Sequence, residues 1–381
     1  MKKVLCIALA LMMVFATVAA CAPAETPAPA PAPAPEPAPE PAPAPEPAPE
    51  PAPEPADDGP MYISVISKGF QHQFWQAVMA GSDQAALDLN VEIYFDGPEG
   101  EAAIADQVNM INVELAKNPD AIALAALDTS AVLSQLQDAF DRGIPVVGFD
   151  SGVPDAPAGQ IAANASTDNE AAAALAAEHM FPEIEDAIDA ATSASPVVIS
   201  VLSQEVVSAS ITGRTKGFAE RMFDLAGAVN DSVAITGGYA AINKGDSDAA
   251  VRIDVVVGAT PDITDMTIAG NAVLNAENLL GVFMSNEGAV AGLLAAINAG
   301  ARVPDGVLLV GFDAGSAQKG AVREGLFFGA ITQDPFQIGY QAVVLAVAAA
   351  RGESVSDVDT GARWWDSSNM DNPDIALLLY D

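Results

Sequence analysis

Val147-Gly148-Phe149-Asp150-Ser151-Gly152 and Val310-Gly311-Phe312-Asp313-Ala314-Gly315 share one pattern, VGFD followed by a small residue and a glycine. Each copy follows a Gly/Pro loop, Arg142-Gly143-Ile144-Pro145 in one case and Val303-Pro304-Asp305-Gly306 in the other. Each therefore reads as a buried strand that ends on its aspartate. Ligands of open parallel sheets bind at the carboxyl ends of the strands. One such aspartate alone reads equally well as a cap for the next loop. Two copies in matching contexts point to a pair of related α/β lobes, each offering a carboxylate to a shared cleft.

On either side of these strands the chain alternates apolar runs with amphipathic stretches. Strands are expected at Tyr62 to Ser67, Val91 to Phe95, Ala121 to Leu127 and Pro145 to Asp150, with helices over Phe74 to Asp88, Glu101 to Lys117 and Ser130 to Arg142. The alternation restarts with strands at Val197 to Leu202, Val233 to Thr236, Gly281 to Met284, Val307 to Phe312 and Gly329 to Thr332. Helices are expected at Asp168 to His179, Gly213 to Leu225, Glu287 to Asn298, Ala317 to Glu324 and Phe336 to Ala350. Buried strands separated by such helices specify parallel βαβ units with right-handed crossovers. The fold class is α/β, with two doubly wound, Rossmann-like parallel-sheet lobes.

The first 60 residues belong to neither lobe. Lys2 and Lys3 precede an apolar run from Val4 to Ala20 that closes on small residues before Cys21, the layout of a secretory signal peptide over residues 1–20. An N-terminal transmembrane anchor is the other reading of such a run. From Ala22 to Pro60 the chain is almost entirely Ala-Pro and Glu-Pro, a composition that buries no core and favours extended polyproline II. Residues 21–60 are thus a spacer, of reach about 120 Å at ~3.1 Å per residue. A PxxP ligand for a partner domain is the alternative. Cys6 falls in the leader, so the mature chain holds a single cysteine and no disulfide.

Composition narrows the function. Against 51 Asp and Glu stand only 15 Lys and Arg, a formal charge of −36, which argues against nucleic acid as a partner. A dinucleotide enzyme needs a glycine-rich turn after its first strand, and Ser67-Lys68-Gly69-Phe70 offers one glycine. A hydrolase needs a Ser, His and acid set, and the chain holds only His72 and His179. Zinc ligation is equally unsupported. The chain reads as a binding protein with no enzyme activity, cofactor or metal.

Several ordered segments of Met61 to Asp381 together resemble the type I periplasmic solute-binding proteins of ABC transporters, in particular the ribose, galactose and autoinducer-2 binding group. Lys68-Gly69-Phe70-Gln71-His72-Gln73-Phe74-Trp75 is similar to the family's segment after the first strand, which sets polar groups and two aromatics against the sugar. Asp150, Arg214 in Gly213-Arg214-Thr215-Lys216-Gly217-Phe218, Asn286 in Phe283-Met284-Ser285-Asn286-Glu287, Asp313 and Gln333 resemble its cleft acids, arginine, asparagine and hinge glutamine. Arg214 is expected to open its helix. Val18-Ala19-Ala20-Cys21 resembles the lipobox of bacterial lipoproteins, which implies that Cys21 carries the lipid. Two features depart from the ribose pattern: His72 stands where the family has a cleft asparagine, and Lys68 with Asp128 matches positions used by autoinducer-2 receptors.

The resemblance implies an extracytoplasmic, lipid-anchored monomer that captures a monosaccharide and delivers it to an ABC permease and its ATPase, or else serves as an autoinducer-2 or other small-ligand receptor. Its lobes would comprise residues 61–166 with 334–362 and 167–333 with 363–381, joined by three crossover strands. The chemistry of the residues agrees: carboxylates accept hydroxyl protons, Arg donates through a planar fork, Asn and Gln do both, and Phe74 with Trp75 offers an apolar platform. Adjacent helix positions diverge by roughly 100°, so both rings need not face the cleft. The region Asp246 to Asn278 reads as longer than the family norm, with Val255 to Asp262 as an insertion, and Trp364-Trp365, near the last crossover, reads as packing, with a place lining the hinge or the cleft as the alternative.

Overall fold

The structure is a computed structural model and describes residues 59–70 and 72–380. The leader, Cys21 and nearly all of the Ala/Pro/Glu spacer lie outside the described residues. In chain order the elements are β1 (Tyr62–Ile66), α1 (Gln73–Leu89), β2 (Glu92–Asp96), α2 (Ile104–Lys117), β3 (Ala121–Leu124), α3 (Leu133–Asp141), β4 (Val146–Phe149) and β5 (Asn164–Ser166). Then come α4 (Asn169–Asp189), β6 (Val197–Ser203), α5 (Ala209–Gly227), β7 (Val233–Gly237), β8 (Val251–Val257), α6 (Ile263–Leu274), β9 (Leu279–Met284) and α7 (Glu287–Asn298). The chain finishes with β10 (Leu308–Phe312), α8 (Ser316–Arg323), β11 (Gly329–Gln333), α9 (Pro335–Ala350), β12 (Val358–Asp359) and β13 (Ala362–Trp365), then a short helical turn.

These strands form two sheets, ordered β12-β5-β4-β3-β1-β2 and β13-β11-β10-β9-β6-β8-β7. Every pairing is parallel except β11 with β13. In each sheet the order reverses beside the lobe's first strand, between β1 and β3 and again between β6 and β9. A doubly wound sheet opens a crevice outside its strands' carboxyl ends at that switch point.

The chain passes between the sheets after β5, after β11 and between β12 and β13. Asp168 caps α4 by accepting from Ala171 N at 3.0 Å, and Asp334 caps α9 by accepting from Gln337 N at 2.9 Å, so two of the crossings end in helix caps. Thr167 Oγ1 donates to Gly361 O at 3.2 Å and ties the first crossing to the last.

Helices cover both faces of each sheet, and small residues let some pairs approach closely. A methyl group at Gly339 of α9 would lie 1.9 Å from the Val78 carbonyl oxygen of α1, a backbone atom that cannot give way. In the second lobe Phe218 stacks on Phe283 at 4.4 Å, joining α5 to β9.

Several boundaries differ from the sequence expectation. Of Val255 to Asp262, read as an insertion, residues 255–257 close the strand β8, which lies between β6 and β7, and residues 258–262 form the connection into α6. In β8 the alternation of valine and isoleucine with Arg252 and Asp254 buries one face and leaves the other partly wet. The helix of the first lobe starts at Ile104 rather than Glu101, and α4 runs through Pro182 to Asp189 rather than stopping at His179. Trp365 is fully buried, and Trp364 stacks on His179 at 4.2 Å, so both tryptophans pack.

Candidate functional site

The carboxyl ends of both sheets face one chamber. From the first lobe come Lys68 after β1, His72 and the first turn of α1 with Phe74 and Trp75, Glu101 before α2, and Asp150 after β4. The second lobe contributes Ile211 and Arg214 from α5, Asn286 and Glu287 at the start of α7, Asp313 after β10 and Gln333 at the end of β11. Of the residues singled out in the sequence, only Asp128 lies outside this lining. Its Oδ1 accepts from Ser130 N at 2.7 Å and Ala131 N at 3.0 Å and so caps its own turn.

Arg214 sits in the second turn of α5, not at its start, because the helix begins at Ala209. From there its guanidinium reaches both lobes: Asp150 Oδ1 at 3.7 Å and Asp313 Oδ2 at 3.8 Å. Its Nε donates to Asn169 Oδ1 at 2.7 Å, and its plane lies 4.0 Å over the Phe312 ring. Five donors in a rigid fork suit such a buried, multiply shared position. Lys68 Nζ lies 3.5 Å from Asp150 Oδ2 and donates across the cleft to Ser210 Oγ at 3.2 Å. Lys68, Asp150, Arg214 and Asp313 are each no more than 4% exposed. Charges so buried are tolerable only when paired.

The remaining polar groups are also held in place. Gln333 Nε2 donates to Asp313 Oδ1 at 2.7 Å, and Glu287 N donates to Asp313 Oδ2 at 2.9 Å. Asn286 caps α7 through Ala289 N and donates its amide to Gln204 Oε1. Trp75 Nε1 donates to Glu101 Oε1 at 3.1 Å. Phe74 and Trp75 meet edge to face at 5.0 Å and are both buried, so both rings serve the chamber and the core together.

Protonation follows from this crowding. Burial opposes a charge on Lys68, but Glu101, Asp150 and Glu205 hold its pKa above that of an ordinary lysine. Burial pushes the Asp150 carboxyl up, against the pull of Lys68 and Arg214. Glu101 goes the other way: burial disfavours its charge, yet Lys68, His72 and the Trp75 N–H outweigh that and lower it. Burial and the neighbouring Asp313 push Glu287 up to about 7.

Direct bonds also cross the cleft. Ser316 N donates to Gln73 Oε1 at 2.8 Å, Thr129 N to Val207 O at 3.2 Å, and Ser210 N to Ser151 Oγ at 3.3 Å. The lobes are therefore closed on one another, and the chamber keeps about 20 Å³, room for about one water. Among the described residues, no group of three or more His, Cys, Asp or Glu is placed to hold a metal ion.

Sequence reasoning did not count Glu101, Glu287 or Asn169 among the site residues. Glu101 and Glu287 read as helix-start acids, a position where a carboxylate needs no further explanation. Asn169 sits one residue past a capping aspartate. Glu101 is held by Trp75 of its own lobe, Asn169 by Arg214 of α5, and Glu287 by Phe74 N of the opposite lobe, contacts between distant segments of the chain that no local pattern reports.

Residues 63–354 match the family described as periplasmic binding protein domain. Among curated proteins, none matches the chain. A solved structure described as an ABC transporter, LacI family transcriptional regulator from Brachyspira murdochii is 39% identical, with 84% of this chain and 99% of that one covered and a TM-score of 0.71. An ABC transporter solute binding protein from Agrobacterium vitis with bound D-fucose is 28% identical, with 84% and 100% covered and a TM-score of 0.69. A second solute binding protein from that organism, bound to α-D-tagatopyranose, is 22% identical over 84% and 99% of the two chains and shares the fold at a TM-score of 0.70. The family match across both sheets and the 39% identical relative lead to one assignment: this chain belongs to the periplasmic binding protein family.

Proposed function

We propose that this protein is the extracytoplasmic capture component of an ABC transporter, binding a monosaccharide between its lobes and handing it to a membrane permease. The observation that carries this reading is the bridge from Asp150 through Arg214 to Asp313, set beside Phe74 and Trp75. Its separations of 3.7 and 3.8 Å exceed good hydrogen-bond length, so sugar hydroxyls that both donate and accept can take over the bonding of all three groups. Gln333 Oε1, buried in the same lining, has no hydrogen-bond partner among the described residues and would accept from one such hydroxyl.

A sugar cannot enter a chamber of this size unless the lobes part at the three crossing segments. Binding then works as a population shift, with contacts from both lobes present only when the cleft is closed. Cys21 would carry a lipid and the Ala/Pro/Glu spacer would hold the domain away from the membrane. Among the described residues no helix is long and apolar enough to cross a bilayer.

The reading is tested by calorimetric titration of the full-length protein with D-fucose, D-galactose, D-arabinose, D-tagatose, D-ribose, D-glucose and D-xylose. One-to-one binding of at least one sugar, lost in Arg214→Ala, is the expected result. Silence across the panel would remove the sugar reading and shift attention to the autoinducer-2 class, which the buried Lys68 also suits.

A further inference from the structure

A second space opens directly beside the chamber. It is a groove of about 350 Å³ between the lobes, and it shares Lys68 and Glu101 with the chamber as a common wall. That volume falls within the ~300–1,000 Å³ typical of small-molecule sites. The first lobe supplies Ile104 and Leu127, and the second supplies Val207, Val257, Ala259 and Pro261. The second-lobe residues follow β6 or close β8, so the groove lies over the carboxyl edges of both sheets, as the chamber does.

The chemistry of the two spaces differs. The chamber is charged and carries the aromatic pair, while the groove walls are aliphatic apart from Lys68, Glu101, Glu205, Ser208 and Thr260, whose hydroxyl donates to Asp265, and none of the described residues lining the groove is aromatic. Sugar rings favour aromatic faces for their C–H surfaces and side-chain amides or carboxylates for their hydroxyls. The acid on the second-lobe side, Glu205, is already engaged, accepting from Val207 N, Ser208 N and Ser208 Oγ at the start of α5. The groove therefore suits an apolar group more than a second sugar.

We infer that the natural ligand is a glycoside, with its sugar held in the chamber and an apolar aglycone lying in the groove past Lys68 and Glu101. This rests on the sugar reading above and extends it. The aglycone makes its contacts with Leu127 on one lobe and with Val207 and Pro261 on the other, so it is buried only when the lobes close. Its burial then strengthens closure as well as affinity.

The test is calorimetric titration of the full-length protein with free D-fucose, D-galactose and D-arabinose, their methyl and phenyl glycosides in both anomers, and lactose. For one sugar the phenyl glycoside of one anomer should bind at least tenfold tighter than the matching methyl glycoside. In Ala259→Trp, which fills the groove, that ratio should fall to about one, with the free sugar as internal reference. Equal or weaker binding of every phenyl glycoside, where a free sugar or methyl glycoside does bind, overturns the inference and leaves the sugar reading standing. Lactose binding more tightly than the phenyl glycosides overturns the apolar aglycone in favour of a second sugar. No binding by any of these probes overturns the inference, and only silence across the wider sugar panel above removes the sugar reading as well.

Discussion

Asp150 and Asp313 occupy the same place in the two lobes, and both leave their strands in the left-handed region, at φ 51° and 79°. Each also makes the same bond to the next strand: Asp150 N donates to Ala165 O of β5 at 3.0 Å, and Asp313 N to Ile331 O of β11 at 2.7 Å. The repeated VGFD motif is thus a repeated backbone turn as well as a repeated carboxylate. Left-handed backbone is uncommon outside glycine, and aspartate and asparagine are the side chains that tolerate it best.

Backbone and charge can be separated by substitution at these two positions. Asp150→Asn and Asp150→Val both remove the carboxylate, but only valine also opposes the positive φ, and the same holds for Asp313. In urea unfolding each valine variant should be less stable than its asparagine counterpart by about 1–2 kcal/mol. Equal stabilities would show that the turn carries no conformational selection.

Arg214→Ala leaves Asp150 and Asp313 buried without their shared partner. Removing one member of a buried pair typically costs about 3–5 kcal/mol. The loss should be larger near pH 8 than near pH 5, because burial already raises the Asp150 carboxyl and losing Arg214 raises it further, so that protonation relieves it. Thermal melts of the variant and the parent across that range check the trend. Sugar binding should be lost at every pH.

Glu287, with its pKa raised to about 7 against an ordinary 4.5, binds a proton more tightly in the folded, closed protein than in the unfolded chain. Its contribution is fully present below about 4.5 and is lost as pH rises through about 7. Asp313 beside it adds to the repulsion once both ionise. Glu287→Gln should therefore flatten the melting temperature between pH 5 and 8 and be more stable than the parent above pH 7, by on the order of 1–3 kcal/mol. An unchanged pH profile in the variant would show that Glu287 titrates normally.

The close approach of α1 and α9 makes Gly339→Val a test of the packing. The added carbon would meet the Val78 carbonyl oxygen at 1.9 Å, so the helices must separate. Overpacking of this kind costs about 1–3 kcal/mol. Chemical denaturation should show that loss, while the same change at the exposed Gly227 at the end of α5, where a methyl group meets nothing within 4 Å, serves as the control.

Much of the fold was legible because βαβ units announce themselves locally. A buried strand is an apolar run and a covering helix has its own period, so the ends of β1, β4, β10 and α9 fall within a residue or two of the pattern. No strand was expected at Val251–Val257 because Arg252 and Asp254 interrupt its apolar residues, as befits a half-wet strand one place from the sheet edge. Most of the candidate site was legible through a family resemblance rather than through periodicity. Asp128 fitted that resemblance equally well, and the structure places it outside the chamber lining, with its Oδ1 capping its own turn.

By itself the sequence determined the two-lobed α/β class, the paired VGFD turns and the residue types that meet in the cleft, because each depends on neighbours along the chain. Only the tertiary structure decided that one arginine in the second turn of α5 serves an aspartate from each lobe, that Glu101 and Glu287 join the site, and that an aliphatic groove lies against it. Those relationships arise between residues far apart in sequence. Whether a charged side chain is solvated, paired or set against a cavity depends on what the other lobe places opposite it, and closure of the cleft settles that.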